Sequence, residues 1–141
     1  MINVVKSQPA PLGLAVEKAK VNGTYRLEEV ITRLKTDFNN KCYLCEEKGV
    51  KDINVEHFEP HLNDKEKKFD WNNLFWSCSY CNNIKLDTHI NLLNCTDNTE
   101  QILESIKFDI KPFPKEKAVI SSLNLDDKTV NTVKLLSLIH I

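Results

Sequence analysis

Apolar residues recur at Tyr25, Leu27, Val30, Ile31, Leu34 and Phe38, with Glu28, Glu29, Arg33 and Lys35 between them. That spacing predicts an amphipathic packing helix over about 24–38. Thr24 is its candidate N-cap, Leu27 stands where an acid would complete a capping box, and Asn39-Asn40 ends it. Val50, Ile53 and Val55 fall near alternate positions and predict a short strand ending at Glu56-His57, with Pro60 stopping regular structure. Residues 61–70 read as a polar loop. Leu74-Phe75-Trp76 reads as a second brief strand, followed by a short helix from Asn82 to about Asp87, launched from Cys81. Residues 91–98 read as loop and 100–106 as a helical turn. Ile106-Lys107-Phe108-Asp109-Ile110 alternates as a strand should, and Ala118-Val119-Ile120 is its candidate partner. Asp126 or Asp127 caps a last helix over about 127–140, with Val130, Val133, Leu136 and Ile139 as its apolar stripe. That helix breaks off at His140-Ile141 without a C-cap, consistent with a chain truncated at its C-terminus. Residues 1–23, interrupted by Pro9, Pro11, Gly13 and Gly23, read as an extended, loosely packed arm. The expected organisation is an arm over 1–23 and one α+β domain over 24–141, with its motif core at 42–88.

Composition narrows the class. Hydrophobic residues make up 41% and charged residues 28% of 141, ordinary for one globular domain. No apolar run approaches a membrane span, and the first residues lack the order of a signal peptide. The expected location is the cytoplasm, where thiols stay reduced. There, Cys42-x2-Cys45, 32 residues, and Cys78-x2-Cys81 point to metal rather than disulfides. Each two-residue gap lets both sulfurs of a knuckle face one ion, and four thiolates make a closed tetrahedral zinc site, structural rather than catalytic. A redox Cys-x-x-Cys would need a βαβ surround that neither pair has. Cys95 stands alone and reads as a small buried hydrophobe.

Inside the loop that the zinc would close lie Glu56, His57, Asn73 and Asn82. Hydrolysis of a phosphodiester needs a base to activate water and positive charge against the developing pentavalent phosphate. His57 is the candidate base. Glu56 and the Asn82 amide oxygen are candidate hard ligands for Mg²⁺ or Mn²⁺. Asn73, chosen over Asn72 because it directly precedes Leu74, could hold the imidazole or the strand turn. The bland readings are a structural histidine, a turn-capping Asn73 and an Asn82 that merely begins a helix.

Taken together, Cys42-x2-Cys45, Glu56-His57-x2-Pro60, Asn73-Leu74, Cys78-x2-Cys81-Asn82 and Lys85 resemble the HNH, or ββα-metal (His-Me finger), endonuclease motif. The resemblance implies a ββα-metal core stapled by the four-cysteine zinc, with flanking helices and a short C-terminal strand and helix region. It matches His57 to the general base, Asn73 to the central asparagine, and Glu56 and Asn82 to ligands of the catalytic ion. Asn82 stands where many members have histidine, which favours Mg²⁺ or Mn²⁺. More narrowly, Val-Glu-His-Phe-x-Pro followed by Asp-Trp-Asn-Asn-Leu-Phe is similar to PtuB-like HNH endonucleases. These are effectors of bacterial anti-phage systems, often encoded with an ATPase, so the resemblance implies a DNA substrate and an ATPase partner protein.

Charge pulls the other way. The net charge is −1, and residues 41–90 hold seven Lys against nine Asp and Glu. Affinity for phosphate backbone normally rests on Lys and Arg, so a nuclease built this way would need help to hold DNA. Lys65, Lys67 and Lys68 are the densest basic group near the site. His61 and His89 read as loop residues, Lys85 as a phosphate contact or a stem covering apolar surface, and Trp71, Phe75 and Trp76 as core. A non-catalytic zinc-binding adaptor for nucleic acid or protein is the alternative.

Overall fold

In the computed structural model, which describes residues 1–140, two strands and a helix form the centre of the chain. β1 (Ile53–His57) and β2 (Leu74–Cys78) pair antiparallel, with Val55 opposite Trp76, Glu56 opposite Phe75 and His57 opposite Leu74. Every residue of β2 is buried. Val30 and Leu34 of a helix over Glu28–Asp37, with Phe38 at its C-cap, supply part of its cover, and the Phe75 ring meets Phe38, Tyr43 and Phe58 at centroid distances of 5.6, 5.0 and 4.9 Å. Aromatic burial of this kind is the main stabilising term in a core this small.

The remaining elements flank that centre. In chain order the helices are α1 (Leu12–Lys18), α2 (Glu28–Asp37), α3 (Lys65–Lys68), α4 (Ser79–Lys85), α5 (Ile102–Ser105) and α6 (Asp127–Ile139). A second hairpin, β3 (Ile106–Asp109) and β4 (Val119–Ser122), pairs Phe108 with Ile120 and packs against α6. The small α+β architecture expected from the pattern is therefore present. No helix among the described residues is long and apolar enough to cross a membrane.

Several boundaries differ from the expectation, each for a local reason. α2 begins at Glu28 rather than Thr24, because the Thr24 hydroxyl accepts the Arg26 N–H at 3.2 Å and closes a turn there instead. The polar stretch 61–70 contains α3, a single turn capped by the Asp64 side chain. α4 begins at Ser79, with the Cys78 sulfur accepting the Cys81 N–H at 3.4 Å, so Cys81 lies inside the first turn. In α6 the buried line is Thr129, Thr132, Leu135, Leu136 and Ile139: Leu136 and Ile139 of the expected stripe are in it, whereas Thr129 and Thr132 replace Val130 and Val133. The two threonines enter the core because their hydroxyls are satisfied: Thr129 donates to Asp126 at 2.7 Å, and Thr132 donates to the Lys128 carbonyl while accepting the Leu93 N–H. The expected end at His140-Ile141 lies at the edge of the described residues.

The expected arm over 1–23 contains α1 at Leu12–Lys18, and its residues 1–10 are extended but not loose. The Val4 N–H donates to the Cys95 carbonyl at 2.7 Å, and Lys6 is buried with its ammonium against the carbonyls of Trp71 and Leu74. Ser7 is gripped by Asp37 and Arg33. The segment thus braces the turn that leads into β2.

Candidate active site and metal centre

The four cysteines converge as their spacing requires. The Cys42 knuckle follows α2, where Asn39 and Asn40 adopt positive φ (53° and 54°) and reverse the chain. The second knuckle joins β2 to α4. Their four sulfurs lie within 4.8 Å of one another, and Cys45 and Cys78 are 3.9 Å apart. A tetrahedron with Zn–S bonds of about 2.3 Å has edges of roughly 3.8 Å, so the donor set fits zinc in size, chemistry and closure. The expected thiolate centre is assembled. Among the described residues no other group of three His, Cys, Asp or Glu side chains converges in this way. Cys95 is fully buried and takes no part.

His57 ends β1, next to the mouth of an open groove of about 320 Å³ lined in part by His57, His61, Asn82 and Asp87. Its Nε2 lies 3.0 Å from the Lys68 carbonyl oxygen. A carbonyl only accepts, so Nε2 carries the proton and Nδ1 is left as the basic nitrogen. The Tyr25 ring meets the imidazole edge-on at 4.6 Å, and the His61 ring does the same at 4.6 Å. Burial holds the His57 pKa below its ordinary value. The Lys68 carbonyl opposes that shift, and charge on His61, Lys68 and Lys85 adds to it.

Asn73 is the inward member of its doublet and nearly buried, whereas Asn72 is exposed and bonded to Gln8. Its amide oxygen accepts the Glu59 N–H at 2.7 Å, and its amide nitrogen donates to the carbonyls of Glu59 (2.9 Å) and Lys67 (3.1 Å). All three bonds tie the segment after His57 to the start of β2. Because Lys68 follows Lys67, Asn73 fixes the carbonyl that orients His57.

Glu56 borders the groove but offers it little surface. Its carboxyl is buried, with Oε1 2.7 Å from the Lys85 ammonium and 3.3 Å from the Tyr43 hydroxyl. Its Oε2 is shielded and has no hydrogen-bond partner. Lys85 is fully buried and also donates to the His57 carbonyl at 3.1 Å. Burial pushes the Glu56 carboxyl up, and the Lys85 ammonium opposes the shift. The lysine is therefore neither a phosphate contact nor an apolar stem. Asn82 is half-buried on α4 and lines the groove. Glu56 and Asn82 both border the groove, but a divalent ion shared between them would meet a carboxylate whose Oε1 already faces the buried Lys85 ammonium, leaving its unpartnered Oε2 and the Asn82 amide as the remaining donors.

Three features were not visible in the pattern. Tyr25 reads as one more apolar residue of the helix expected over about 24–38, yet lies ahead of α2 and packs on His57. His61, expected as a loop residue, is half-buried against His57 because a turn at Leu62 and Asn63 (φ 45° and 68°) folds it back, its Nδ1 accepting the Asn63 N–H at 3.1 Å. Two of the three clustered lysines have internal partners: Lys65 donates to the Lys20 carbonyl at 2.9 Å, and Lys67 pairs with Glu59 at 3.2 Å. No curated protein and no solved structure matches the chain. Residues 42–88, a third of the chain, holding both knuckles together with His57, Asn73, Asn82 and Lys85, match the family model described as HNH endonuclease.

Proposed function

We propose that this chain is a nuclease that hydrolyses phosphodiester bonds of DNA, with His57 as general base. The orientation of His57 carries the reading: the Lys68 carbonyl holds the proton on Nε2 and leaves Nδ1 free at a groove. In the reaction a water oxygen bonds to phosphorus as the bridging P–O bond breaks, and the leaving oxygen takes a proton from solvent. The water proton passes to His57 Nδ1, and the imidazolium is stabilised by its Nε2–H···O=C bond to Lys68. Asn73 acts as a positioning residue by fixing the 59–67 segment. The zinc centre locks β2 and α4 to the first knuckle, which sets the groove walls. A divalent cation of the kind that HNH endonucleases use would supply charge stabilisation at the phosphate; Asn82 is the donor already at the groove.

The finer reading is a PtuB-like effector of anti-phage defence, acting in the cytoplasm with an ATPase partner. Two observations support it: the resemblance around Glu56-His57 and Trp71–Cys81, and a net charge of −1 with two of the three clustered lysines already paired internally, which leaves little basic surface to hold DNA unaided. The non-catalytic zinc adaptor is favoured by one observation, the closed Glu56–Lys85 pair.

Plasmid nicking by the zinc-loaded chain and by His57→Ala, in Mg²⁺ or Mn²⁺ and with EDTA, separates the two readings. The nuclease reading expects metal-dependent nicking that drops about 10²–10⁴-fold in His57→Ala while zinc content is unchanged. A variant that cuts as fast as the parent, or a parent inert on DNA and RNA alike, sinks it.

A further inference from the structure

The Glu56–Lys85 pair carries a consequence for how the site takes up a cation. Lys85 stands three residues after Asn82 on α4, so both side chains approach the end of β1 from the same face. Asn82 lines the groove, while Lys85 reaches beneath it with no exposed surface. Its ammonium has two acceptors, Glu56 Oε1 at 2.7 Å and the His57 carbonyl at 3.1 Å. Tyr43 donates to the same carboxylate oxygen at 3.3 Å. A buried carboxylate is costly without a compensating charge, and the compensation here comes from the chain itself. A divalent ion placed on Glu56 would lie within a few ångströms of a buried ammonium, where like charges repel strongly.

We propose that Lys85 is the resident cation of Glu56: it occupies the carboxylate in the resting fold, and a divalent ion reaches Glu56 only when the ammonium is displaced. The ion seat of the nuclease is therefore latent: Asn82, half-buried, and Glu56, buried, both border the groove, and Lys85 holds the Glu56 Oε1. The arrangement deepens the nuclease reading and rests on it for its meaning in catalysis. The cation competition itself is independent of whether any strand is cut. Lys85 is a positioning residue: it acts through Glu56 and through the His57 carbonyl, not on the phosphate.

The test measures Mn²⁺ binding to the zinc-loaded chain, by titration calorimetry or the electron paramagnetic resonance of free Mn²⁺. Three proteins are compared: the parent, Lys85→Met, and the doubly neutral Glu56→Gln/Lys85→Met. The proposal expects Lys85→Met to bind Mn²⁺ at least tenfold more tightly than the parent, and the double variant to return to the parent's affinity. It is overturned if Lys85→Met binds no more tightly, or if the double variant keeps the gain. Should Lys85→Met fail to hold zinc, the remaining pair decides. A double variant equal to the parent shows that Glu56 contributes nothing while Lys85 is present, and one that binds more weakly shows that Glu56 is already a ligand and removes the proposal. Absence of cleavage in all three would count against the nuclease reading and leave these binding results standing.

Discussion

His57 Nε2 lies 3.0 Å from the carbonyl oxygen of Lys68, a residue eleven positions along the chain at the end of α3. The contact sets the tautomer of the imidazole, and Asn73 holds it in place from β2's side through the neighbouring Lys67 carbonyl at 3.1 Å. The orientation of the imidazole thus depends on a side chain that never touches it.

Asn73→Ala is expected to act on both stability and rate. It strands one N–H and two carbonyls, each costing about 1–3 kcal/mol where water cannot reach, so the midpoint of thermal unfolding should fall by several degrees. Nicking should fall by about 10²-fold or more at temperatures where the variant is fully folded, because a small misplacement of a catalytic group is expensive. Circular dichroism melts and nicking rates on the same preparations check both. Unchanged nicking by a folded Asn73→Ala would remove the positioning role.

The depressed His57 pKa predicts the acid limb of the rate profile. Burial disfavours the imidazolium, so the base stays neutral to lower pH than a free histidine. kcat/KM should therefore rise with pH through an inflection below 6.5 and be flat at neutrality. His61→Asn removes one neighbour that disfavours charge on His57, and should move the inflection upward. An inflection in the parent above 6.5 contradicts the burial argument.

Zinc removal should be far more disruptive than loss of any single contact. The four sulfurs draw on two segments 32 residues apart, and structural zinc typically contributes about 10–16 kcal/mol of binding free energy in small domains. We expect one zinc per chain by elemental analysis. Cys81→Ser should bind less than one zinc and lose cooperative unfolding, whereas Cys95→Ser should keep full zinc. Full zinc in Cys81→Ser would break the assignment.

Much of this was legible in the chain because the signals were local. Two C-x2-C pairs, alternation before His57, the Leu74–Trp76 run and an aspartate before a helical stripe each bear on a few adjacent residues. They recovered both hairpins, α4, α6 and the thiolate centre. What escaped depends on partners distant in sequence. Glu56 reads as a ligand from its neighbours, but its carboxyl meets Lys85, 29 residues on, across a strand-to-helix contact. Thr129 and Thr132 look like surface residues until Asp126 and the backbone satisfy them. Lys6 looks like part of a loose arm until the turn before β2 presents two carbonyls to it.

That last contact yields a prediction for stability against pH. Desolvation by burial brings the Lys6 pKa down to about 7 from 10.5, with Asp37, Asp70 and Cys95 pulling it up and Arg33 pushing it further down. The ammonium also sits 4.0 Å from the Trp71 ring centroid. Below pH 7 both folded and unfolded chains hold the proton, and the folded state bears the full cost of burying it. Between pH 7 and 10.5 the unfolded chain holds more protons than the folded one, so stability rises with pH. The neutral amine can still donate to the Trp71 and Leu74 carbonyls. Lys6→Met removes the titration and both bonds. Urea unfolding at pH 7, 8 and 9 should show the parent gaining stability relative to Lys6→Met at each step. Cys95, raised to about 12 in the folded chain from an ordinary 9.0, also loses its proton in that window when unfolded, but parent and Lys6→Met both carry it, so it falls out of their difference. A constant difference between parent and variant across the three pH values would mean that Lys6 stays charged in the folded chain, with the Trp71 face and the two carbonyls compensating its burial in full.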